Sequence, residues 1–525
     1  MKITHPGDRQ SYRKDIVVLL MAFLFSRVLS ALLGIHLGYE ALFTYWQYLD
    51  VTTLQHNLLA GVWYDHAQPP FFNLILGLVL KTSGNSAPLV FSLLLKCISL
   101  ANCFLLLAIL RRVIPACVNS GVSPLVRTLA RHAPLLITLV YLLSPALIIF
   151  ESELFYTTFN TMLMLFGAYF VLRLQERLST AKGLGSPASS TGFTGPGSPA
   201  PSSGARPWKI ITGIFLPVVI LCYTRSMYHI VWIAAVGICL LFVFNKSIAF
   251  KPLLTVSVIS TLLVSGWYLK NYIIFGEFST STWLGMNFAR TVFHDHPTKD
   301  SAHISTIEPF SPLHYYHAFA DTTHRAAYAG LDDRDLLTAS KNGYDTLMNL
   351  NHVDYLGISH QYMKDSKAFL KQHPMAYLKV VVQSSIMFFA PATRYPYAED
   401  PSKKIKYYDL LYSFNLSQLT SGKGPRRIAL TLSAIPKFLI YLYVFYLLGM
   451  DVYRRKKISP LNLFILCTIC YVFATSSLVE HYENMRFRFE IEPLFLILLA
   501  QVLLFAKPFK TIFNTSSALN QVLKS

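Results

Sequence analysis

Charge is scarce in this chain. Only 14% of its 525 residues are Asp, Glu, Lys or Arg, about half the share of an ordinary soluble domain. Acids are the rarer sign, 27 against 46 basic residues, while 53% of the residues are hydrophobic. That balance excludes a soluble enzyme and a nucleic-acid binder. Cysteine is thin as well, and the seven present show no paired spacing, which excludes a disulfide scaffold. Cys467 and Cys470 form a C-x-x-C, but inside an apolar run, where small polarizable cysteines serve packing rather than redox or metal chemistry. Internal repeats are absent, which weighs against a transporter built from repeats. A cleavable signal peptide is not expected either. Ile16–Ile35 is too long and has no A-x-A-like site after it, so it reads as a first spanning helix with the N-terminus inside.

Long apolar runs are what the chain has in abundance: Ile16–Ile35, Leu89–Leu110, Leu135–Phe150, Leu154–Leu172, Ile210–Cys222, Ile230–Phe244, Leu253–Trp267, Ile428–Met450, Leu461–Phe473 and Pro493–Phe505. About 20 apolar residues span a bilayer, and shorter runs cross when packed among neighbours. With the short run Tyr377–Ala390, ten or eleven spans are expected, an all-α polytopic membrane protein. The net charge of +19 follows topology. Arg111, Arg112, Arg127 and Arg131 crowd one loop and Arg454, Arg455, Lys456 and Lys457 another, as cytoplasmic loops do, whereas Leu269–Met375 carries eleven acids against nine Lys or Arg.

Alternation of sides then divides the chain into three. Residues 1–268 form an N-terminal membrane module with a first outer loop (37–87) and a Gly/Ser/Pro-rich cytoplasmic linker (179–206). Residues 269–427 form a polar, mainly helical outer domain with one membrane-associated apolar helix (377–390). Residues 428–525 form a C-terminal membrane module with an outer loop (476–492).

The chemistry-bearing residues cluster at the expected outer ends. In Tyr45-Trp46-Gln47-Tyr48-Leu49-Asp50, the spacing of Leu49, Leu54, Leu58 and Leu59 predicts a short amphipathic surface helix that would hold Asp50 at the lipid–water boundary. A partly desolvated carboxylate there is a better base for an attacking hydroxyl or amine; the plainer alternative is a solvated loop acid. Glu151 and Glu153 lie where one span ends and the next begins, fit to position an acceptor or a divalent metal ion, or simply to form a polar turn. Arg486 and Arg488, with Arg225 in Thr224-Arg225-Ser226, run against the positive-inside tendency; each suits a lipid-linked phosphate or a local pair with Glu480, Glu483, Glu490 or Glu492. His294, His296, His314 and His317 do not make a closed zinc spacing, and no cofactor is required by any motif. Asn415-Leu416-Ser417 is a glycosylation sequon.

In order and placement these motifs resemble the GT-C membrane glycosyltransferases, in particular the branch of dolichyl-phosphate-mannose protein mannosyltransferases and bacterial lipid A aminoarabinose transferases. The resemblance rests on Asp50, then Leu58-Leu59-Ala60-Gly61, then His66 with Pro69-Pro70, on Glu153 before Leu154-Phe155, and on Arg488-Phe489 with Pro493. It covers roughly Ile16–Leu172 and Leu461–Phe505. Two departures stand: Asp50 is followed by Val51 rather than a second acid, and Ala67-Gln68 separates His66 from Pro69.

The resemblance implies a GT-C-like fold and inverting transfer of a sugar from a polyprenyl-phosphate carrier to a protein, lipid or glycan acceptor. The reaction would take place on the periplasmic or lumenal face of a bacterial inner membrane or the endoplasmic reticulum, among membrane lipids and without nucleic acid. Asp50 would be the base, assisted by Glu153, and Arg486 and Arg488, with His66 and Arg225 nearby, would hold the carrier phosphate. The rivals are a transporter or flippase of a lipid-linked or anionic substrate, and a non-catalytic subunit of a glycan-assembly complex.

Overall fold

The computed structural model describes residues 6–45, 47–114, 124–183, 207–293, 351–420, 422–481 and 483–505. Among them the regular structure is helical. Six helical stretches are long and apolar enough to cross a membrane: Gln10–Leu32, Phe71–Val113, Thr157–Thr180, Phe250–Phe275, Gly424–Arg455 and Pro460–Val479. Four shorter apolar helices accompany them, Ala130–Leu142, Trp208–Thr224, Ile230–Val243 and Pro374–Phe389.

Local chemistry sets the helix ends. Proline opens Pro145–Phe150, Pro374–Phe389 and Pro460–Val479, where its missing N–H costs nothing. Ser459 caps the last of these by accepting from Asn462 N at 3.1 Å. Gly276, at φ +76°, closes Phe250–Phe275 in the left-handed conformation that glycine adopts without strain. Gly84, at φ +48°, sits in the turn that breaks Phe71–Val113 into Phe71–Ser83 and Ala87–Val113.

Asn484–Phe505 is the central helix. It packs against Pro460–Val479, Thr157–Gly183 and Pro374–Phe389, and Met485, Phe487, Phe489, Ile491, Leu494, Phe495, Ile497 and Leu498 are all buried along it. A helix buried on nearly every side belongs inside a bundle. The outer loop expected over 476–492 is therefore mostly helix. Its charges pair along the helix, Glu483 with Arg486 and Arg488 with Glu492, which lets a charged segment stay helical and buried.

Two further boundaries differ from the apolar runs. The expected span Leu135–Phe150 breaks at Leu143 and Ser144 into Pro124–Leu142 and Pro145–Phe150, because Pro145 starts a new helix. The next helix begins at Thr157, leaving Glu151–Tyr156 as an ordered, buried connection. In the first outer loop, the predicted amphipathic segment is two helices, Val51–His56 and Leu58–Tyr64, with Leu49, Leu54 and Leu58 buried and Leu59 exposed.

Beyond Phe250–Phe275, the helices Leu284–Val292 and Asp354–Gln372 build a second, smaller core from Trp283, Met286, Tyr355, Ile358 and Tyr362, which also takes in Ala67 of the first outer loop. Gly285 makes this approach possible: a Cβ there would lie 1.9 Å from the Ser359 carbonyl oxygen.

Candidate functional site

Segments far apart in sequence meet around a cavity of about 750 Å³. Tyr45, Gln47 and Gln68 come from the first outer loop, and Arg225 and His229 from the turn between Trp208–Thr224 and Ile230–Val243. Trp283, Asn287 and Arg290 come from the second core, and Glu480 and Glu483 from the turn before the central helix. All belong to segments that alternation places on one side of the membrane.

Behind the wall of this cavity lies a buried charge cluster. Arg225 donates to Glu483 Oε2 at 3.1 Å and faces Glu490 Oε1 at 3.6 Å. Arg486 pairs with the same Glu483 oxygen. Tyr228 and Asn160 donate to Glu490 Oε2 at 2.7 and 3.2 Å. Aromatic rings floor the guanidinium groups, Phe487 at 4.1 Å from Arg225 and Tyr395 at 4.8 Å from Arg486. Burial alone would raise the Glu483 carboxyl, but Arg486, Arg225 and Arg290 together hold it well below the usual carboxylate range.

The cluster is incompletely satisfied. Nε and Nη1 of Arg486, Nη1 of Arg225 and Oε1 of Glu490 have no hydrogen-bond partner among the described residues. Buried guanidinium donors without acceptors are costly, and an oxyanion entering from the cavity would supply what they lack.

The expected site residues do not all gather here. Arg225 lines the cavity, and fully buried Arg486 stands directly behind it. Arg488, two residues on, points elsewhere: it pairs with Glu492, which also takes Lys437 at 3.2 Å, and donates to the Ala390 carbonyl at 3.4 Å. A two-residue step turns about 200° around a helix, so the two arginines cannot grip one phosphate together, as the resemblance had them do.

His66 is also committed elsewhere. Its ring nitrogens meet Thr282 Oγ1 and the Asn351 carbonyl, both at 2.9 Å, and burial lowers its pKa to about 3. It is a neutral latch tying the first outer loop to the second core. Glu151 is held by Arg27, whose Nε and Nη2 donate to it at 2.7 and 2.8 Å, so it is engaged in an ion pair rather than open to a metal.

Asp50 is half-buried and caps Val51–His56, accepting from Thr52 N at 2.7 Å and Thr53 N at 3.1 Å. It does not line the cavity, but Gln47, three residues earlier, does. Glu153 is buried against Gly38, where a Cβ would fall 2.6 Å from its Oε2. Its carboxyl has no hydrogen-bond partner among the described residues, and burial pushes it up to about 8. It too lies off the cavity. Tyr156 nearby does reach the wall, donating to Gln47 Oε1 at 2.5 Å.

Sequence reasoning overlooked a second network. Asn73 accepts from Leu49 N at 3.1 Å and donates to Gln47 O at 3.3 Å and to Asp65 Oδ2 at 2.9 Å. Asp65 accepts from Gln68 N at 3.1 Å, and Lys270 donates to the Asp65 carbonyl at 3.0 Å. Burial pushes the Asp65 carboxyl well above the usual range. This clamp fixes the irregular segment Gln47–Asp50 against the loop that carries Gln68. One signal was available in the sequence: Lys270 is the only charge between Trp267 and Phe275, and a lone cation there needs a partner.

Other expectations resolve simply. Asn415 is buried, donating to Asp409 Oδ2 at 2.7 Å, so its sequon is closed to modification in the folded chain. Among the described residues no three His, Cys, Asp or Glu side chains are grouped to hold a metal ion. The histidine pairs at 294/296 and 314/317, and most of the linker 179–206, lie outside the described residues.

The helices and their lengths fit an integral membrane protein. Compared with known proteins, the chain matches no family model, no curated protein and no solved structure.

Proposed function

We propose that the chain is an integral-membrane glycosyltransferase of the GT-C type, moving a sugar from a polyprenyl-phosphate carrier to an acceptor by inverting displacement. In this reading the six long apolar helices, three of the four shorter ones and the central helix cross, ten segments in all, while Pro374–Phe389 enters the membrane without crossing it, and the 750 Å³ cavity opens on the outer or lumenal face.

One observation carries the proposal: two buried arginines with guanidinium N–H groups that make no hydrogen bond among the described residues, stacked on aromatic rings at the wall of a large cavity. Arg225 and Arg486 would hold the carrier phosphate and stabilise the charge that grows on it as the bond to the sugar breaks. Tyr45, Trp283 and Tyr471 give the cavity a mixed aromatic wall suited to a sugar face. The acceptor oxygen or nitrogen attacks the anomeric carbon, the carbon–oxygen bond to the phosphate breaks, and the acceptor proton passes to a carboxylate.

Asp50 is the base on the resemblance. Glu480 is the second candidate because it lines the cavity, whereas Asp50 does not; Arg290 approaches it at 3.9 Å.

The test is release of polyprenyl phosphate from a panel of lipid-linked sugars by the purified, detergent-solubilised protein. Turnover that falls at least 100-fold in Asp50→Asn, with carrier binding intact, assigns the base to Asp50; the same loss in Glu480→Gln alone moves it there. No turnover of any donor with any acceptor overturns the transferase reading and favours a transporter or a non-catalytic subunit.

A further inference from the structure

The helices that close the first cavity close another at their opposite ends. Pro460–Val479 contributes Val479 to the first and Leu461 and Asn462 to the second, and the central helix contributes Phe487 to the first and Gln501 and Val502 to the second. At 1.5 Å per residue, those positions are about 20–27 Å apart, the scale of a bilayer core. The second cavity measures about 830 Å³ and is framed by Arg112, Glu176 and the end of Lys423–Arg455.

Its chemistry is that of an amphiphile's negative. Leu172, Leu447, Leu448 and Val502 give it apolar walls. The helix forming one side leaves Tyr443 and Tyr446 exposed along with Leu439 and Leu442, so the cavity is continuous with an apolar face that a spanning helix turns toward lipid. Of the charges lining it, Arg112 is paired with Glu176 at 2.8 Å and Arg455 with Asp451 at 2.7 Å. Arg454 and Lys457 are left at the rim with no acidic partner among the described residues.

Inside, three buried polar atoms have no hydrogen-bond partner among the described residues: Asn462 Oδ1, Gln501 Nε2 and Arg112 Nε. Asn462 and Gln501 are each only 9% exposed. Two of these atoms are donors seeking an acceptor and one is an acceptor seeking a donor. A phosphate answers the first two and a hydroxyl the third.

We propose that this cavity binds an anionic phospholipid whose headgroup carries free hydroxyls, with the phosphate toward Arg112 and Gln501, a hydroxyl on Asn462 Oδ1, and the acyl chains along Tyr443 and Tyr446. A free phosphate compound would leave the apolar walls and the lipid-facing opening unused. The site is independent of the transferase reading and survives its failure.

The test is binding of a fluorescent phosphatidylglycerol to the full-length protein in neutral detergent, with phosphatidylcholine as the zwitterionic comparison. Arg454→Gln/Lys457→Gln should weaken phosphatidylglycerol binding about tenfold, since each basic residue near an anionic headgroup contributes a few-fold. Gln501→Leu should weaken it about fivefold. Lys209→Gln, an exposed basic residue outside the cavity lining, should leave it unchanged. Size-exclusion profiles matching the unmodified chain exclude misfolding, and the rim pair, being exposed, tests the site without touching the core.

Three results would overturn the proposal. One is phosphatidylcholine binding as tightly as phosphatidylglycerol. Another is Lys209→Gln costing as much as the rim pair, which would mean diffuse surface charge. The third is displacement of the lipid by millimolar inorganic phosphate, which would assign the site to a soluble phosphate ligand.

Discussion

The same helices end in two cavities, and the two ends treat their cations in opposite ways. At one end Arg225 and Arg486 are buried and wedged between aromatic rings and carboxylates. At the other, Arg454 and Lys457 stand exposed at a rim while the neighbouring pairs neutralise each other. Exposed cations orient the chain and meet headgroups at little cost. Buried ones require compensation by carboxylates and, where donors are left over, by something that arrives from outside. The difference teaches where to look for chemistry in a chain with few charges: where a guanidinium has been taken out of water without all of its hydrogen bonds.

The strongest way to break this comparison is Arg486→Ala. It leaves the largely buried Glu483 with Arg225 as its main counter-charge, and removing one partner of a buried pair costs about 3–5 kcal/mol. Thermal unfolding in detergent should show a large destabilisation, while Arg454→Ala should stay within about 0.5 kcal/mol of the unmodified chain. Equal effects at the two ends would mean that the buried cluster is already solvated.

Glu153 sharpens the contrast through pH. Its carboxyl titrates near 8 in the folded chain and near 4.5 when unfolded. Below pH 4.5 both states are protonated and nothing is lost. Between pH 4.5 and 8 only the unfolded chain releases the proton, so stability falls as pH rises, by up to about 5 kcal/mol across that window. Glu153→Gln should flatten that slope in melts taken from pH 5 to pH 8. A slope unaltered by the substitution would show that Glu153 is ionised and paired in the folded chain.

Gly285→Ala tests the wall that the second core lends to the cavity. The added methyl meets the Ser359 backbone, and overpacking of this kind costs about 1–3 kcal/mol. Turnover should fall along with stability, because Trp283 and Asn287 flank the displaced residue on the cavity wall. Intact turnover in a destabilised variant would detach the second core from the site.

Much of this arrangement was legible in the sequence, and the parts that were not share a cause. Apolar runs announced the long helices, and the sign of their flanking loops sorted which segments would meet at each end. Arg225 and Arg486 stood out because they oppose the usual charge bias. What escaped was pairing across long separations. Arg27 meets Glu151 over 124 residues and His66 meets Asn351 over 285; neither residue's neighbours in sequence hint at the partner. The charged stretch 484–492 was misjudged for the same reason, since a segment rich in Arg and Glu looks like a loop until its charges are seen to neutralise one another inside the bundle. Pro145, by contrast, was a visible helix start within a run whose hydrophobicity outweighed it.

The smallest expected change in stability is at Asp50, and it discriminates most sharply between roles. As an N-cap, Asp50 accepts from Thr52 N and Thr53 N, a task that asparagine performs equally well and alanine does not. As a general base it must ionise and take up a proton, which asparagine cannot do. Asp50→Asn should therefore melt within about 0.5 kcal/mol of the unmodified chain and yet lose polyprenyl-phosphate release, whereas Asp50→Ala should lose both, with about 1 kcal/mol of stability. A variant that keeps the cap and keeps its turnover would reduce Asp50 to a structural residue and leave Glu480, already at the cavity wall, as the carboxylate to test. Because the two substitutions share the lost charge and differ in the cap, their comparison separates folding from chemistry within a single residue.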